Sequence, residues 1–180
     1  MKLWTTLRSA FSGWVKIARG EEGWREHFSL TVPGLVTALC IFAFVAFLAV
    51  AFTSMSIGMP SAIGVFAAMF VLALPITAVV VALVGTRIVL HSNESMLPVL
   101  VPAIYALTAF LFVEGALAMI GGPVVMLAWL GLGYLMFRLA RAAAGWSIGI
   151  ATGFAVLTVV LLVALRLALY MLSNPAGSPI

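Results

Sequence analysis

Charge is scarce in this sequence, and that scarcity makes the first exclusions. Only 8% of its 180 residues are charged, while 65% are hydrophobic. A soluble domain carries roughly a quarter of its residues as charges, and it could not hide so much apolar surface. Cysteine is nearly absent too. Cys40 stands alone inside an apolar run, which excludes an intrachain disulfide and a multi-cysteine metal site. The only histidines, His27 and His91, lie in polar links, so a serine–histidine nucleophile pair has no histidine at membrane depth. A Walker loop, HExxH and a dinucleotide fingerprint are all missing, and those are the patterns that mark nucleotide and metallopeptidase chemistry. The sequence therefore predicts no enzymatic activity and no cofactor. Its net charge of +4 comes without a dense basic run, so nucleic acid is not an expected partner.

What the chain does have is long apolar runs. Runs of about twenty residues match a hydrocarbon core of ~30 Å at 1.5 Å per helical residue. The alternating hydrophobicity of a barrel is absent, which leaves helices as the way to satisfy the backbone in lipid. Spans are expected over 31–52, 62–84, 97–120, 123–140 and 145–172. The fold class is all-α, a polytopic bundle of five transmembrane helices with an N-terminal interfacial helix. Three segments follow: a cytoplasmic arm and elbow at 1–28, the membrane domain at 29–172, and a short outer tail at 173–180. Pro75, in the middle of the second span, predicts a kink there.

Before the first span, Leu3, Trp4, Leu7, Phe11, Trp14, Val15 and Ala18 recur at three- and four-residue steps, with Lys2, Arg8, Lys16 and Arg19 between them. This is an amphipathic helix suited to the headgroup layer, and docking on a partner protein is the competing reading. Trp4, Phe11, Trp14, Trp24 and Trp146 are the expected interfacial anchors. The elbow GEEGWREH (20–27) gathers Glu21, Glu22 and Glu26 near one histidine, and His91 and Glu94 lie three apart. Neither set supplies a recognisable ligand pattern, so both read as solvated links and no metal is expected.

Basic residues set the direction of the spans. Five precede the first span, none lies in the first link, and Arg87 lies in the second. The third link has none, Arg138 and Arg141 flank the fourth, and the tail has none. The alternation puts the N-terminus in the cytoplasm and the C-terminus outside. Together with the alanine-, valine- and leucine-rich style, it points to a bacterial inner membrane.

Two features inside the spans call for a reason. Glu114 and Arg166 each lie about 26 Å from the cytoplasmic edge of their span, so opposite charges fall at one depth. A structural pair, separate snorkelling to the outer headgroups and a functional ionisable site are the open readings. Gly145, Gly149 and Gly153 form a GxxxGxxxG ladder, a flat groove for close helix packing within the chain or with another copy.

The layout resembles the bacterial branch of the Yip-type family. It shares five spans, an N-terminal amphipathic helix with tryptophan, a very short outer tail and a segment such as FSGWVKIARGEEGW (Phe11 to Trp24). The DLYGP-like signature of the eukaryotic branch is absent, so no trafficking or small-GTPase role is implied. The resemblance implies a membrane-embedded interaction or scaffold protein without enzymatic activity. Its expected partners are membrane lipid, a second copy of itself or another membrane protein. The alternative is a small oligomeric transporter or channel, with Glu114 and Arg166 lining its path.

Overall fold

The structure, a computed structural model, describes residues 2–58 and 61–173. Six helices account for most of them: α1 (Lys2–Arg19), α2 (Val32–Ile57), α3 (Ala62–Leu90), α4 (Leu97–Ile120), α5 (Val125–Ala143) and α6 (Ile148–Ser173). Short 3-10 turns occupy Trp24–His27 and Gly122–Val124. Helices α2 to α6 are each long and apolar enough to cross a membrane. The architecture is that of a multi-pass, all-helical membrane protein. The outer part of the expected tail, residues 174–180, lies outside the described residues, as do Met59 and Pro60 in the first link.

The helix ends follow local chemistry. Thr31 caps α2 by accepting the Gly34 N–H at 3.3 Å, with Pro33 in the first turn, and Ser61 does the same for α3 through Gly64 at 3.1 Å. Each cap satisfies one of the N–H groups that a helix start leaves without a partner. Helix α3 runs on through the buried Pro75 and closes at His91 in the left-handed region. The last span begins later than its glycine pattern predicted. Gly145 has φ 62° and sits past the end of α5, where the Trp146 N–H returns to the Ala140 carbonyl at 3.4 Å. Glycine tolerates that conformation at a helix terminus. Gly145 therefore ends one helix and does not start the next, and the ladder on α6 shortens to Gly149 and Gly153.

The five spans form a closed ring in the order α2, α4, α5, α6, α3, with α3 also touching α4 across the middle. The most enclosed helix is α4, which buries Val101, Ala103, Ile104, Ala106 and Leu107. Phenylalanines at 44, 66 and 112 face outward, as expected of surfaces that lipid would cover.

Helix α1 lies against the base of α4 and α5. Its amphipathic pattern resolves into three faces. Ala10, Gly13 and Ile17 are buried against the protein, with Gly13 under the Phe28 ring. Trp4, Leu7 and Phe11 are exposed on a second face, and Arg8 and Arg19 are exposed beside it. Four hydrogen bonds fasten the arm. Trp14 Nε1 donates to the Pro102 carbonyl at 3.0 Å, and Ser9 Oγ donates to the His27 carbonyl at 3.0 Å. Arg138 Nε donates to the Ile17 carbonyl at 3.3 Å, and the Tyr134 hydroxyl to the Ala18 carbonyl at 3.4 Å.

Candidate functional site

The chain's one intramembrane carboxylate sits near the end of α4 remote from α1. Glu114 is 17 positions past Leu97, about 26 Å along the helix. Arg166 is 18 positions past Ile148 on α6, about 27 Å. The near-equal rise brings the two charges to one level, and they meet. Arg166 NH2 donates to Glu114 Oε2 at 2.9 Å, while NH1 donates to Oε1. The contact is a planar fork, the geometry in which guanidinium and carboxylate bind most strongly. Helices α4 and α6 each pack on α5 and on α3, so the pair ties a diagonal of the ring.

A third helix contributes. Trp129 on α5 donates Nε1 to Glu114 Oε1 at 2.9 Å. The Arg166 guanidinium carbon lies 5.7 Å from the Trp129 ring centroid and 6.0 Å from that of Phe110. Two aromatic faces and a carboxylate thus surround one cation. The side chains are 23% exposed for Arg166 and 14% for Glu114. A lone charge at this depth would cost several kcal/mol in hydrocarbon; the fork and the indole N–H offset that cost by satisfying both carboxylate oxygens. Arg166 Nε is buried and has no hydrogen-bond partner among the described residues.

Trp129 and Phe110 were not anticipated from the sequence, although a signal for Trp129 was present. An indole N–H inside an apolar span needs an acceptor. Trp129 is four positions past Val125, at the end of α5 that follows directly from the end of α4 carrying Glu114.

The remaining candidates fall elsewhere. Gly149 and Gly153 are exposed, and a Cβ at either position would meet nothing within 4 Å. They make no contact inside the chain that requires glycine. Trp4 and Phe11 are 75% and 72% exposed, placed as free anchors would be. Trp14 is half-buried against α4. Trp24, expected as an interfacial anchor, is instead buried, its ring centroid 6.2 Å from that of Phe28. Gly23 in the left-handed region turns the chain just before it and directs the ring under the arm. Trp146 is half-buried and packs edge-on against Phe154 at 5.5 Å. Among the described residues no cluster of three His, Cys, Asp or Glu side chains could hold a metal.

Comparison of the chain with protein-family models, curated proteins and solved structures finds no match.

Proposed function

We propose that this multi-pass protein is a non-enzymatic interaction or scaffold protein of a bacterial inner membrane. In this reading α1 lies on the cytoplasmic side, in the headgroup layer, and the C-terminus is outside. Its partners are membrane lipid and a second copy of itself or another membrane protein, as the Yip-type layout implies. The observation that carries the proposal is the state of Glu114, whose two carboxylate oxygens are taken by Arg166 and Trp129. A carboxylate on a transport path must exchange its partners for substrate or water. This one instead holds α4, α5 and α6 together. Gly149 and Gly153, open on the outside of α6, offer the flat surface on which a helix of a second copy packs closely.

The test is proton and ion flux in proteoliposomes carrying the wild type or Glu114→Gln. The expected flux equals that of empty vesicles for both. A flux that depends on Glu114 would overturn the scaffold reading in favour of a small transporter or channel.

A further inference from the structure

We propose that the α5–α6 flank holds one phospholipid with a zwitterionic amino headgroup, its phosphate on Arg138 and Arg141 and its primary ammonium on Glu22. This rests on reading the chain as a membrane interaction protein and names one of its lipids.

The acyl-chain half of the site is an apolar groove of about 620 Å³ between α5 and α6. Leu130, Gly133 and Phe137 form one wall, and Thr152, Val156 and Val160 the other. Along α5 the groove runs from Met126 to Phe137, eleven positions or about 16 Å. Half of a ~30 Å hydrocarbon core is about the same length. The groove is therefore about as long as one acyl chain, and it runs from the first turn of α5 toward Arg138.

The headgroup half begins where the groove ends. One residue past Phe137, α5 contributes Arg138, and one turn further Arg141. Both line a second cavity of about 300 Å³, closed on its other side by Gly20, Glu21 and Glu22 of the elbow. Arg138 spends only Nε, on the Ile17 carbonyl, and Arg141 spends NH1 on the Trp146 carbonyl. Their other guanidinium nitrogens have no partner among the described residues. Glu21 pairs with Arg19 at 3.7 Å, while Glu22 has no partner among the described residues.

Charge complementarity selects the occupant. Two guanidiniums beside two carboxylates balance a headgroup that carries one phosphate and one ammonium. An anionic headgroup such as phosphatidylglycerol would bring its phosphate beside Glu21 and Glu22 and offer them only neutral hydroxyls, with no cation to balance them. A choline headgroup has no N–H to donate to a carboxylate. Arginine pockets at the edge of a membrane domain are established phosphate sites for lipids in general. What is particular here is the facing pair of glutamates.

The experiment is native mass spectrometry of the full-length protein in detergent, titrated with phosphatidylethanolamine, phosphatidylcholine and phosphatidylglycerol of equal chain length. Phosphatidylethanolamine should bind about tenfold more tightly than the other two, the value of one charge-assisted hydrogen bond. Glu22→Gln should bring the three lipids within about twofold of one another, while Arg141→Gln should weaken all three together, since each carries the same phosphate, and keep their order. Gly133→Leu should weaken all three by filling the groove. If that variant fails to fold, the Glu22→Gln comparison still decides. Equal binding of the three lipids by the wild type, preference for phosphatidylglycerol, or a Glu22→Gln variant that keeps the wild-type order would each overturn the site. So would a dimer that excludes lipid from the groove. Any of these with no Glu114-dependent flux leaves the scaffold reading standing, whereas flux alone strikes that reading and not the lipid.

Discussion

Trp129 donates its indole N–H to Glu114 at 2.9 Å, on the same carboxylate oxygen that accepts one arm of Arg166. That shared oxygen makes the indole part of the ion pair. Trp129→Phe keeps a ring beside Arg166 but removes the donor. The expected cost is about 1 kcal/mol, the net worth of one hydrogen bond. It should appear as a lower unfolding midpoint in detergent, with insertion unchanged. An unchanged midpoint would mean that Trp129 contributes packing alone.

The ion pair itself is tested by a double-mutant cycle. Arg166→Leu leaves Glu114 without its cation and should destabilise by about 3 kcal/mol, as breaking a desolvated pair does. Glu114→Gln alone leaves Arg166 uncompensated and should also destabilise. The double variant should recover much of the loss, because neither charge then remains in hydrocarbon. Additive losses in equilibrium unfolding would show that the two side chains do not depend on each other.

The depth of this site was legible in the sequence, while its third member and its neighbours were not. Glu114 and Arg166 could be placed at one level by counting residues along two helices of fixed rise. Which helices stand side by side was not written in the spans, because the apolar residues of α2, α3 and α4 run all the way round and mark no preferred face. Trp129 therefore had no visible partner until α5 was seen between α4 and α6. The arm shows the complementary limit. Its stripe of Trp4, Leu7 and Phe11 was plain from periodicity, yet the face that holds α1 to the bundle is Ala10, Gly13 and Ile17. Small residues on a second face give almost no hydrophobic signal and reveal themselves only by what lies against them. Gly145 misled for a related reason: spacing alone cannot tell a packing glycine from one that ends a helix.

That close contact gives a direct test of the arm. A Cβ on Gly13 would lie 2.5 Å from Phe28 Cε2 and 2.8 Å from His27 Cβ. Gly13→Val should therefore lift α1 from the elbow, breaking the Ser9 and Trp14 hydrogen bonds together. Hydrogen exchange over residues 2–28 should rise by at least about tenfold, while the cores of α4 and α5 remain protected. Equal protection in the variant and the wild type would refute this docking. Gly13→Ala should produce a smaller change in the same direction.

The glycines of α6 yield the last prediction, and its strength is that folding and association separate. Around Gly149 and Gly153 a Cβ would meet nothing within 4 Å, so a larger side chain there displaces no neighbour in the single chain. Both positions lie within α6, where leucine has a better helix propensity than glycine by several tenths of a kcal/mol. The variant Gly149→Leu/Gly153→Leu should thus melt at or slightly above the wild-type temperature. Association is different, since close approach of a second backbone depends on those two positions having no side chain. Cross-linking in membranes, or dilution into detergent followed by mass measurement, should show the variant shifted to monomer while Glu114→Gln keeps the wild-type distribution. A variant that associates as well as the wild type would mean that copies of this chain meet on another face. A variant that melts several degrees lower would mean that the glycine face is already occupied within one chain.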